Sequence, residues 1–122
     1  MDRTRLSLVL LTGLWCNMPQ AGQADVVRAQ IHTAADGTCT VSATVRHADT
    51  GWEHYADRWE VVGPDGEVLA TRKLWHPHVD EQPFTRSLSG VQIPPQFGHV
   101  SVRAGDSRHG LGGREVTLEV PR

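Results

Sequence analysis

The sequence predicts an all-β domain of seven short antiparallel strands behind an N-terminal leader. Three observations carry that expectation. After residue 24 almost no segment has helical period. Short runs rich in Val, Thr and Arg alternate apolar and polar residues at every second position. Clusters of Gly, Pro and Asp break these runs at regular spacing.

The leader comes first in the chain. "MDRTR" is positively charged, "LSLVLLTGLW" is an apolar run of h-region length, and "QAGQA" sets Gly22 and Ala24 where a leader peptidase needs small residues. Residues 1–24 are expected to be a secretory signal peptide, rather than a buried N-terminal helix, and residues 25–122 a single domain with Asp25 as its first residue. The apolar run is shorter than the roughly 20 residues of a bilayer-spanning helix, so no membrane span is expected. Cys16 follows the bulky Trp15, where lipid attachment wants a small residue, so lipidation is not expected. The protein should be periplasmic or secreted.

The strands follow in order. "DVVRAQIHT" sets Val27, Ala29 and Ile31 on one face, and "ADG" turns the chain, with Gly37 free to take positive φ. "TCTVSATVRH" aligns Cys39, Val41, Ala43, Val45 and His47. "RWEVV" points Trp59 and Val61 inward, "GPDG" is a hairpin signal, and "EVLATRKLW" returns. "FTRSLSGVQI" carries a bulge at Gly90. "HVSVRAGD" aligns Val100, Val102, Ala104 and Asp106, "SRHGLGG" is a flexible loop, and "REVTLEV" closes with Val116, Leu118 and Val120 inward.

Seven strands in about 100 residues is the pattern of an immunoglobulin-like or fibronectin-III-like β-sandwich, with Trp59 in the place of its buried inter-sheet tryptophan. The string "HADTGWEHYADRWEV…HPHVDEQPFTRSL…DSRHGLGG" resembles a family of small secreted bacterial proteins of no established activity. That resemblance implies no ligand and no site residue.

Composition excludes some partners. The chain has 12 Lys and Arg against 14 Asp and Glu, a net charge of −2. Losing Arg3, Arg5 and Asp2 with the leader moves this to about −3, and no basic patch argues for nucleic acid. Cys39 would stand alone in an oxidising compartment, as a buried small hydrophobe, an intermolecular link or a ligand. A monomer is expected.

Because successive strands run in opposite directions, alternate connections share one end. The turns at 35–37, 63–66 and 94–96 fall at one pole, and the longer loops 48–56, 76–83 and 107–113 at the other. The second pole receives His54, His76, His78 and His109, fed by the inward-facing His47 and Asp106 at strand ends. Asp49, Asp57, Asp80 and Glu81 join them, while His32 and His99 stay near the opposite pole on outward parity.

Three readings of that pole follow. In the first, His47, His54, His76, His78 and His109, with Asp106 or Asp49, hold a divalent transition metal: Zn(II), Cu(II) or Fe(II). Pro77 restrains His76-Pro77-His78 and lowers the ordering cost. Met1 and Met18 both fall in the leader, which leaves no thioether for Cu(I), and Cys39 begins its strand at the wrong pole. In the second, the same groups form a hydrogen-bonded polar cap, because buried imidazole and carboxylate must find partners. In the third, Trp52, Tyr55 and Trp75 form a binding face for a protein or glycan, with Phe84 stapling its loop to the core. No catalytic function is expected. No G-x-S-x-G motif occurs, and "HGLGG" lies between strands without the helix N-terminus a phosphate cradle requires.

Overall fold

The computed structural model describes residues 22–122. The first 21 residues of the predicted leader, with Cys16, lie outside the described residues, whereas Gly22–Ala24 lie within them. Among the described residues every regular element is a strand, and no helix is long and apolar enough to cross a membrane.

The strands are β1 (Asp25–Thr33), β2 (Cys39–Arg46), β3 (Ala56–Val62), β4 (Val68–Lys73), β5 (Phe84–Val91), β6 (His99–Asp106), β7 (Gly110–Leu111) and β8 (Val116–Glu119). Their number exceeds the predicted seven because part of "HGLGG" is not a free loop. Gly110 and Leu111 turn back to pair with Asp106 and Gly105.

The strands form two antiparallel sheets. One has the order β1-β2-β5; the other runs β4-β3-β6-β7, with β8 also paired to β6. Turn chemistry sets the short connections. Thr38 donates from its backbone N–H and its hydroxyl to Asp36 Oδ1 (3.0 and 2.7 Å) beside Gly37 at φ +88°. Gly66, also at φ +88°, closes the β3–β4 hairpin.

Period-two alternation aims one face of each sheet at a shared core. Val26, Val41, Val45 and Phe84 from the first sheet meet Trp59, Val61, Val100 and Val102 from the second in one buried cluster. Cys39 belongs to that cluster as a buried free thiol, which fits the small-hydrophobe reading and withdraws it from intermolecular pairing. A Trp59→Ala change would cost about 3–5 kcal/mol, the usual penalty for emptying a large core site.

One inward face is corrected. Val26 pairs with Val45, yet Arg28 pairs with Thr44, so Val27 is an extra residue in β1. This bulge reverses parity. Val26 rather than Val27 enters the core, while Ala29 and Ile31 pack against it as expected. The bulge predicted in β5 is present: Cys39 pairs with Val91 and Val41 with Leu88, with Gly90 at φ +71°.

Candidate metal centre

The parity that builds the core also delivers polar groups to its open end. His47 continues the inward row of β2 and is 3% exposed; Asp106 ends the inward row of β6 and is 2% exposed. Ala56 at the start of β3 pairs with Asp106, which brings the 47–55 loop over the end of β6. A Gly51–His54 bridge folds that loop back and turns His54 toward the same spot.

The loops 47–55, 74–83 and 107–113 are tied together. Asp49 Oδ2 accepts from the His78 N–H (2.7 Å) and Asp49 Oδ1 from the Ala56 N–H (3.0 Å). Gln82 bridges as well: its Oε1 accepts from the His47 N–H (2.9 Å) and its Nε2 donates to the His78 carbonyl (2.9 Å). The Ser107 N–H donates to the Tyr55 carbonyl (2.9 Å).

At the centre, one ligand-type atom each from His47, His54 and Asp106 lies within 4.8 Å of the others. His47 Nε2 is 3.3 Å from Asp106 Oδ2, and His54 Nε2 is 3.6 Å from Asp106 Oδ1. The His47 and Asp106 side chains are fully enclosed, and that of His54 nearly so. The Gly22 carbonyl oxygen is 2.8 Å from His47 Nε2 and 3.1 Å from His54 Nε2.

The charge of Asp106 is fixed by its surroundings. Burial alone would raise its pKa, but donation from the His109 and Arg108 N–H groups, from the His109 ring, and the field of His47 together hold it below the ordinary carboxylate value. It is therefore an anion facing two imidazoles.

Proton counting then singles out His47. Asp49 accepts two backbone N–H bonds as a carboxylate, so the contact between His47 Nδ1 and Asp49 Oδ1 (2.5 Å) places the ring proton on Nδ1. His47 Nε2 then faces only acceptors, the Gly22 carbonyl and Asp106 Oδ2. A lone pair aimed at two oxygens is repulsive, so this nitrogen calls for a second proton or a metal ion. A carboxylate on the far nitrogen is also how metal-binding histidines are oriented.

The predicted convergence of five histidines is only partly met. His109 reaches the rim: its Nδ1 is 3.2 Å from Asp106 Oδ2, its ring centroid 4.9 Å from that of His54, and its side chain 42% exposed. His76 and His78 form a separate pair with ring centroids 4.6 Å apart, linked to the centre through the backbone bond to Asp49 and through Gln82. The reason is Arg86, whose Nη2 lies 3.0 Å from His78 Nε2, and a guanidinium there repels a cation. His78 stacks on Phe84 with centroids 3.9 Å apart, and His76 Nδ1 turns to the Pro77 carbonyl. Burial, Arg86 and His76, in that order, push the His78 imidazole below its ordinary pKa, outweighing Asp49 and Glu81.

Trp52 and Trp75 are 65% and 71% exposed, and Tyr55 packs edge-on against Trp52 at 5.6 Å. Gln82, Arg86 and the Gly22 carbonyl were not anticipated from the sequence. Gln82 and Arg86 carry no pattern of their own in the sequence, and Gly22 fits the small-residue pattern of a leader cleavage site.

Comparison with known proteins identifies a relative in Halomicrobium mukohataei described as "Putative lipoprotein", 35% identical over 97 residues, which are 80% of this chain and 47% of the relative. The chain thus spans about half the length of the curated relative it matches. No protein-family model matches the chain, and no solved structure matches it.

Proposed function

We propose that the chain is an extracytoplasmic β-sandwich domain that binds one divalent transition metal at His47, His54 and Asp106, with His109 at the rim and Asp49 orienting His47. The observation that carries this reading is the position of His47 Nε2, fixed from behind by Asp49 and confronted in front by oxygen acceptors. Two imidazoles and a carboxylate suit Zn(II), Cu(II) or Fe(II). The role is metal handling or metal-dependent stabilisation of a binding domain, without catalysis, and the domain acts as a monomer.

The sheet order supports an immunoglobulin- or fibronectin-III-like class. Its fourth strand pairs with β3 rather than β5, unlike the four-and-three division of immunoglobulin constant domains. A location outside the cytoplasm is supported by the leader pattern and by the description of the Halomicrobium relative.

The test is metal content and thermal unfolding of the purified chain with Zn(II), Cu(II) or chelator. Metal at a hundredfold excess over its dissociation constant stabilises by about 2.7 kcal/mol. A chain that takes up no ion and shows no midpoint shift rejects the reading.

A second reading rests on the exposed tryptophans. Trp75 borders a shallow cleft of about 250 Å³ lined by Tyr55, Asp57, Arg58 and Lys73, a combination suited to a glycan or protein partner.

A further inference from the structure

The approach of Gly22 to the triad goes beyond a hydrogen bond. For a tetrahedral ion with bonds near 2.0–2.1 Å, neighbouring donor atoms lie about 3.3 Å apart. The separations here are 3.3 Å from His47 Nε2 to Asp106 Oδ2, 3.6 Å from His54 Nε2 to the other carboxylate oxygen, Oδ1, and 2.8 and 3.1 Å from the Gly22 oxygen to the His47 and His54 Nε2 atoms. The carbonyl oxygen thus lies at donor spacing from both imidazole nitrogens.

The chain is built to hold it there. A Cβ on Gly22, whose φ is +92°, would come within 2.7 Å of His109 Cε1 and 3.3 Å of His54 Cε1. Only glycine fits between those rings. On the other side, a Cβ on Gly113 would lie 1.9 Å from the Ala24 carbonyl oxygen. Arg114 N–H then donates to Asp25 Oδ1 (2.7 Å), and the Val26 N–H donates to the Arg114 carbonyl (2.8 Å). Ala24 itself is fully buried in the core. Gly113 of "HGLGG" thus serves close backbone approach of the N-terminal segment.

We propose that the main-chain carbonyl of Gly22 is the fourth donor of the metal centre, closing a set of two imidazole nitrogens and two oxygens. A closed four-donor site is a structural one, with no position left for an exogenous ligand. This inference rests on the metal reading and adds to it that the segment before β1 determines whether the site is closed.

Gly22 is the only glycine followed by glutamine, so ¹³C-carbonyl glycine with ¹⁵N-glutamine labelling isolates its peptide signal in the full chain. Zn(II) should shift that signal in step with the His47 and His54 ring signals and reach its end point at one equivalent. Zn(II) that moves the ring signals alone overturns the inference and leaves the metal reading standing. Zn(II) that moves neither rejects both. Cobalt supplies the second measurement. The Co(II)-loaded chain should show intense four-coordinate visible bands indifferent to azide, and Gly22→Val and Gly113→Ala should weaken those bands and gain an azide-induced shift. An azide response already present in the unsubstituted chain, or variants that keep its spectrum, overturns the proposal.

Discussion

His47 and Asp49, two residues apart beyond the end of β2, meet through Nδ1 and Oδ1 at 2.5 Å with both side chains closed off from solvent. The contact fixes which nitrogen of His47 looks into the centre. Replacing Asp49 with Asn retains the shape but loses the charge that sets the tautomer. Asp49→Asn is expected to weaken Zn(II) binding about 10–100-fold without changing stoichiometry, the usual effect of losing a ligand's orienting partner. Calorimetric titration reads it, and undiminished affinity would remove Asp49 from this role.

The same pairing has a stability consequence in chelator. His47→Ala leaves Asp49 and Asp106 as enclosed carboxylates deprived of the group between them. Leaving buried acceptors without their donor costs about 1–3 kcal/mol. In a domain of this size each kcal/mol moves the midpoint by roughly 4–8 °C. His47→Ala in the metal-free chain should therefore unfold well below the parent in a thermal scan. A midpoint within a few degrees of the parent would show that the carboxylates do not depend on His47.

His78 makes the fold acid-sensitive away from the candidate metal centre. Burial, Arg86 and His76 depress its pKa, so the folded state binds its proton less readily than the unfolded chain, whose imidazole titrates near about 6.5. Its contribution is fully present above the unfolded value and is lost as pH falls from there through the folded value. Urea midpoints in chelator should fall between pH 7.5 and pH 5, and His78→Phe, which can keep the stacking on Phe84, should flatten that part of the profile. An equally steep fall in His78→Phe would assign the sensitivity elsewhere.

The parts of this molecule that obey a period were legible in the sequence. Alternation placed Val41, Val45, Val100 and Val102 in the core, and extending the same rows by one step put His47 and Asp106 at the open end. Alternation fails at Val27, because a bulge leaves the apolar pattern intact while reversing its sense. Loop contacts have no period. That Arg86 would claim His78, dividing the histidines into two groups, depends on a distance across β5 rather than on spacing. Gly22 was hidden for another reason: the small residues that mark a leader cleavage site are also those that fit between packed imidazoles.

Trp52 and Trp75 bury little of their surface, so removing either should leave the fold nearly unchanged. Trp52→Ala and Trp75→Ala are expected to shift stability by no more than about 0.5 kcal/mol. If the cleft beside Trp75 is a binding face, fluorescence of the parent chain should respond to oligosaccharides or a partner extract, and Trp75→Ala should lose most of that response. A Trp75→Ala chain that responds as the parent does would exclude the cleft beside Lys73.

Leader processing and the candidate metal centre should be coupled. The predicted cut after Ala24 would carry away the Gly22 carbonyl, 2.8 Å from His47 Nε2, and the fully buried Ala24. A chain beginning at Asp25 would keep three donors and leave the fourth position to water, whereas a cut further upstream would leave the centre closed. Intact mass of the exported protein gives its first residue, and the azide response of its Co(II) form gives the state of the site. A start at Asp25 should accompany an azide-responsive centre, and a start at or before Gly22 an unresponsive one. The reverse pairing would separate the N-terminal segment from the candidate metal centre, and Gly22 would then be a hydrogen-bond acceptor and nothing more.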